Sequence, residues 1–176
     1  MKKTAISLIS LLIVSFLFPS FSLAATTNLQ ATINPGTLTI SNPTIATISA
    51  VTLEGTSQES TGSLGSITVV DNRGNGAGWS VTMTVSDFTC CTPVRTIGVA
   101  DLTVKPGLVT VVAGKQTGIS AGEDHKFSAT DDAATLMVAV TGGGLGSYRI
   151  SPSIALSVPA DAYAGTYTAT VTITVI

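Results

Sequence analysis

The sequence predicts an all-β protein, an antiparallel β-sandwich of Ig-like or jelly-roll-like type. Three observations lead there. Thr and Val, whose branched side chains fit a pleated sheet, supply 28 and 17 of the 176 residues, beside 17 Gly for turns. Several stretches alternate apolar and polar residues, as half-buried strands do. Turn signals interrupt them at short intervals. Charged residues make up 10% of the chain, against about 25% in an average domain, which argues against coiled coils and long solvated helices. With 44% apolar residues, the composition is also the opposite of the disordered signature.

The first 24 residues read as a secretory signal peptide. Lys2 and Lys3 give a positive start, Ile6–Phe18 an apolar run, Pro19 a break, and Ser22-Leu23-Ala24 the small residues that precede cleavage between Ala24 and Ala25. The run is shorter than the roughly 20 residues that span a bilayer, so the mature chain is expected to carry no membrane anchor. No Cys follows the cleavage point, so no lipid attachment is expected either. Residues 25–28 read as a short leader and residues 29–176 as one domain.

Along that domain, Leu29–Ile33, Leu38–Ile40, Ala46–Leu53 and Ser66–Asp71 are strand candidates. Trp79, Val81, Met83 and Val85 then share one face of a regular strand, with Ser80, Thr82, Thr84 and Ser86 on the other. Leu102–Val104, Leu108–Ala113, Thr135–Val140, Ser147–Ile150 and Ser153–Val158 follow. The last strand is the most regular: Tyr167, Ala169, Val171, Ile173 and Val175 alternate with Thr166 to Thr174, an inward set expected to seal the core. Asn34-Pro35-Gly36, Glu54-Gly55, Arg73–Gly76, Lys105-Pro106-Gly107, Gly142–Gly144 and Pro159–Ala162 mark the turns.

Little in the sequence points to catalysis, and none is expected. His125 is the only His, so any Ser–His or Cys–His arrangement must use it. It lies in the polar run Gly122–Lys126, a solvated loop; a cation site from Glu123, Asp124, His125, Asp131 and Asp132 would match no known ligand spacing. Gly74–Gly78 precedes a strand and not a helix, so it is a turn and no phosphate cradle. No cofactor or metal is expected. Removing Lys2 and Lys3 leaves six cations against ten carboxylates, a mature net charge of −4 that argues against nucleic acid as a partner. Cys90 and Cys91 are adjacent, and in an oxidising compartment a vicinal disulfide stiffening the turn before Pro93 is favoured over free thiols or intermolecular pairing.

The stretch Asp71-Asn72-Arg73-Gly74-Asn75-Gly76-Ala77-Gly78-Trp79-Ser80-Val81-Thr82 resembles the first signature of the WxL-domain family of bacterial surface proteins. Tyr163–Val175 resembles the closing segment of that domain, and Val51–Gly55 with Gly65–Asp71 is similar to its upstream part. Trp79-Ser80-Val81 has Val where the family name expects Leu, and Ile173-Thr174-Val175 stands at the second motif without its Trp. The resemblance implies a secreted, β-rich, non-catalytic protein at the cell surface, attached non-covalently to the wall through peptidoglycan or to other surface proteins. Trp79, Val81, Tyr167, Ile173 and Val175 are then a motif that either binds the wall or fills the core. Two other readings stand beside it: a self-assembling structural subunit of a surface layer or fibre, and a secreted carbohydrate-binding module stacking sugars on Trp79, Tyr148 or Tyr163.

Overall fold

The structure is a computed structural model that describes residues 23–41, 43 and 47–176. Most of the signal peptide thus lies outside the described residues. Leu23–Ile33 carries no regular secondary structure, and its side chains are exposed. Among the described residues, fourteen strands follow in residues 34–176. They are β1 (Leu38–Ile40), β2 (Gln58–Ser63), β3 (Ile67–Asp71), β4 (Trp79–Val85), β5 (Phe88–Cys90), β6 (Arg95–Ile97) and β7 (Leu102–Lys105). Then come β8 (Thr110–Gly114), β9 (Ile119–Ala121), β10 (His125–Lys126), β11 (Ala134–Ala139), β12 (Gly146–Ile150), β13 (Ser153–Val158) and β14 (Val171–Val175). A 3-10 turn, Val99–Asp101, leads into β7.

All pairings are antiparallel. The sheets run β1-β3-β12-β8, β10-β7-β13-β2 and β14-β4-β11-β9, with a β5-β6 hairpin beside them. The chain is an all-β sandwich, as its composition predicts. Period-two side-chain placement explains the core. Every odd residue of β4 from Trp79 to Val85 is buried, and every even one is half-buried. With Ile67 and Val69 of β3, Leu136 and Met137 of β11, Tyr148 and Ile150 of β12, and Ile154, Leu156 and Val158 of β13, these residues form one apolar cluster.

Three expectations are corrected. Leu29–Ile33 forms no strand. In place of a strand through Leu53, residues 47–53 make one bridge, Ile48 to Gly62 of β2, and then run on without a ladder. Gly62 permits that contact, since a Cβ there would lie 2.6 Å from the carbonyl oxygen of Thr47. The last strand is also shorter than its alternation suggests: Val171–Val175 pairs with β4, and Thr168 alone bridges to Thr89. It pairs on one side only, so its inward residues are half-buried and Val171 is 37% exposed.

Candidate functional site

The family-like stretch at Asp71–Trp79 folds into a latch. Asp71 ends β3 buried, and its carboxylate accepts three hydrogen bonds from Arg73: the backbone N–H and Nε to Oδ1, and Nη2 to Oδ2, each 3.0 Å. Arg73 Nη2 also donates to the carbonyl of Gly78 at 2.7 Å. The Arg73 side chain, foremost through these hydrogen bonds, holds the Asp71 carboxyl below the usual carboxylate range. Gly78 adopts φ +79, and an added Cβ would meet the Ala139 carbonyl oxygen at 2.6 Å, so the turn needs glycine there.

Trp79 follows, 4% exposed. Its Nε1 donates to the Gly144 carbonyl at 3.0 Å, and its ring centroid lies 5.7 Å from that of Tyr148. Tyr148 is fully buried, and its hydroxyl lies 2.6 and 3.0 Å from the carbonyl oxygens of Lys115 and Leu145, which share its one proton. Burial pushes its pKa up. Trp79 and Tyr148 are therefore core residues whose polar atoms are already engaged, and neither offers a ring face to a sugar.

The other motif residues also serve packing. Val81 lies opposite Val175, and Met83 opposite Ile173, in the β4–β14 register. Tyr167, half-buried, also packs against the core cluster. It lines a small cleft of about 290 Å³ with Val94, Arg95, Asp161 and Tyr163 at the β5–β6 end.

That end carries the chain's most exposed aromatic side chain in the sandwich. Tyr163 is 58% exposed, with the Arg95 guanidinium carbon 3.9 Å from its ring centroid, a cation–π contact. Val94 beside it is 70% exposed. Tyr167 Oη donates to the Tyr163 carbonyl at 3.1 Å, and Thr168 exchanges two backbone hydrogen bonds with Thr89 of β5. Cys90 and Cys91 are joined in a vicinal disulfide at the tip of this hairpin, and Gly165 packs against both sulfurs. An added Cβ at Gly165 would collide with Cys91 Sγ, so the Tyr163–Thr168 segment lies directly on the disulfide. Sequence reading singled out Tyr163 and the Cys pair separately; Arg95 was missed, because only the hairpin brings it over Tyr163.

Around His125, as elsewhere among the described residues, no group of three or more His, Cys, Asp or Glu side chains converges. Asp132 instead accepts from the backbone N–H and the hydroxyl of Ser128 at 2.8 and 3.0 Å, which lowers its pKa, the backbone bond foremost. His125 Nε2 stands 3.1 Å from the same carboxylate without the alignment of a hydrogen bond. Asp87, another carboxylate near the hairpin, is occupied by the Val99 N–H at 2.8 Å.

A second and larger cavity, about 840 Å³, opens between segments 47–53 and 162–171. Its floor is apolar, formed by core side chains that include Met83, Val85, Phe88, Leu102 and Leu156.

The fold on which these residues sit is an antiparallel β-sandwich with Tyr163 exposed at its β5–β6 end. The chain belongs to the WxL family: the family model described as WxL domain, surface cell wall-binding, matches residues 26–175. Comparisons with curated proteins and with solved structures gave no match. Among the described residues, no helix is long and apolar enough to cross a membrane.

Proposed function

We propose that the chain is exported, loses residues 1–24, and attaches non-covalently to the peptidoglycan of the cell wall without acting on it as an enzyme. The family match over residues 26–175 carries this reading. The contact surface we assign is the β5–β6 end: Tyr163, Arg95, Val94 and the adjoining cleft with Tyr167. An exposed tyrosine can stack on a sugar ring, and Arg95 can meet a peptide carboxylate or a glycan hydroxyl. The mature net charge of −4 opposes anionic wall polymers, which leaves hydrogen bonds and apolar contact to hold the complex. Single-site affinity is then modest, and many copies along one polymer raise avidity.

The test is cell fractionation followed by sedimentation of the purified mature protein with isolated peptidoglycan. The expected result is protein in the wall fraction, released by denaturant without hydrolase treatment, and co-sedimentation that persists at high salt. Protein free in the medium that stays in the supernatant at low and high salt overturns the reading.

A further inference from the structure

We propose that the large cavity between residues 47–53 and 162–171 is a binding site for the aliphatic chain of an uncharged lipid. The cavity measures about 840 Å³, inside the range of about 300–1,000 Å³ in which proteins bury a small ligand. Its floor comes from several strands: Met83 and Val85 of β4, Phe88 of β5, Ile97 of β6, Leu102 of β7 and Leu156 of β13. These six side chains belong to the core cluster, so the apolar surface of the core continues into the cavity. Lipid binding here does not depend on wall attachment, and either can fail without the other.

The framework holds the cavity open. On one wall, Ile48 bridges to Gly62 of β2, and the Ser49 N–H donates to the Thr61 carbonyl at 2.9 Å. On the other, Thr168 exchanges backbone hydrogen bonds with Thr89 at 2.9 and 3.0 Å, and the Ser86 N–H donates to the Thr170 carbonyl at 3.0 Å. Gly165 of the same wall rests on the Cys90–Cys91 disulfide. Each wall is thus tied to its own neighbouring strands, and among the described residues no backbone hydrogen bond joins one wall to the other. A preformed opening spares a ligand the cost of ordering it.

The lining decides what fits. Among the described residues no side chain that lines the cavity is charged, so an ion taken inside would lose its water without gaining a partner. Ser60, the buried polar side chain of the lining, already donates its hydroxyl to the Ser49 carbonyl. The floor therefore offers a sugar or a peptide group nothing to hydrogen-bond, and burying either there is unfavourable. An aliphatic chain makes no such demand and gains by leaving water. Ser49, Thr52 and Thr166, exposed members of the lining, carry hydroxyls that suit an uncharged polar head group. The mature net charge of −4 disfavours an anionic one.

The chain carries its own reporters. Of its three methionines, Met1 leaves with the signal peptide; Met83 lines the cavity and Met137 does not. The full chain, recovered after export and isotope-labelled at its methionine methyls, is titrated with monolauroylglycerol, with laurate and with N-acetylglucosamine, and followed by NMR. Monolauroylglycerol is expected to shift the Met83 signal saturably while Met137 stays in place. Laurate should bind roughly tenfold more weakly, and N-acetylglucosamine should shift neither signal. Val51→Trp and Ala169→Trp each place an indole in the cavity from opposite, half-buried positions on its walls. Either variant that keeps the wild-type circular dichroism should weaken monolauroylglycerol binding by roughly tenfold or more. An unmoved Met83 signal, as when another part of the chain fills the cavity, would overturn the proposal. Equal shifts at both methionines, laurate binding as tightly as monolauroylglycerol, a response to the sugar, or folded variants that bind as wild type does would each do the same.

Discussion

The indole N–H of Trp79 reaches the carbonyl of Gly144 across 65 residues of sequence, at 3.0 Å inside the core. That bond joins the start of β4 to the Gly142–Gly144 turn. It makes the family-like tryptophan a fastening between two turns. Gly144 adopts φ +70, and an added Cβ would sit 2.5 Å from Trp79 Nε1. The glycine and the tryptophan therefore act together.

Trp79→Ala is expected to cost about 3–5 kcal/mol, since it opens a cavity and orphans a buried carbonyl. Gly144→Ala should be destabilising by about 1–3 kcal/mol through its backbone conformation and the collision with the indole. Urea unfolding followed by tryptophan-independent circular dichroism measures both. A Trp79→Ala protein as stable as wild type would contradict the latch.

Arg73→Ala should cost about 2–4 kcal/mol, because it strands the buried Asp71 carboxylate; the exposure of Arg73, about a quarter of its side chain, keeps the cost below that of a fully buried pair. The pH dependence follows in sign. Arg73 lowers the folded-state pKa of Asp71, so the pair's contribution is fully present above the unfolded carboxylate value of about 3.9. It is lost as pH falls below that value toward the folded one. Unfolding midpoints measured from pH 6 down to pH 2 should therefore drop more steeply for wild type than for Asp71→Asn.

Reducing the Cys90–Cys91 bond should change global stability by about 1 kcal/mol or less, because adjacent cysteines close no loop in the unfolded chain. The change should be local: hydrogen exchange in residues 162–168, which lie on the disulfide through Gly165, should speed up on reduction. A large fall in the unfolding midpoint with reductant would contradict this.

The sandwich was legible where a strand has one wet and one dry face. Trp79–Val85 alternates without a break, and every odd residue is buried. Polar strands were not legible. Gln58–Ser63 carries no large apolar side chain, and it exists because β13 pairs with it residue for residue. The β5–β6 hairpin was hidden because three-residue strands around a Cys pair show no period. Conversely, Leu29–Ile33 has a strand's alternation but no partner among the described residues, and pattern alone cannot supply one. The candidate site was half visible: Tyr163 stood out as an aromatic near a turn, whereas Arg95 meets it only through tertiary folding.

Wall attachment at the Tyr163 end, with Trp79 as core, is tested most directly by a sedimentation isotherm on isolated peptidoglycan. Wild type, Tyr163→Ala, Arg95→Ala and Trp79→Phe would be compared, each first shown to be folded. The account predicts that Tyr163→Ala and Arg95→Ala weaken binding by roughly tenfold, about 1.4 kcal/mol, while Trp79→Phe binds as wild type does. Undiminished binding by Tyr163→Ala and Arg95→Ala, with loss confined to Trp79→Phe, would contradict it.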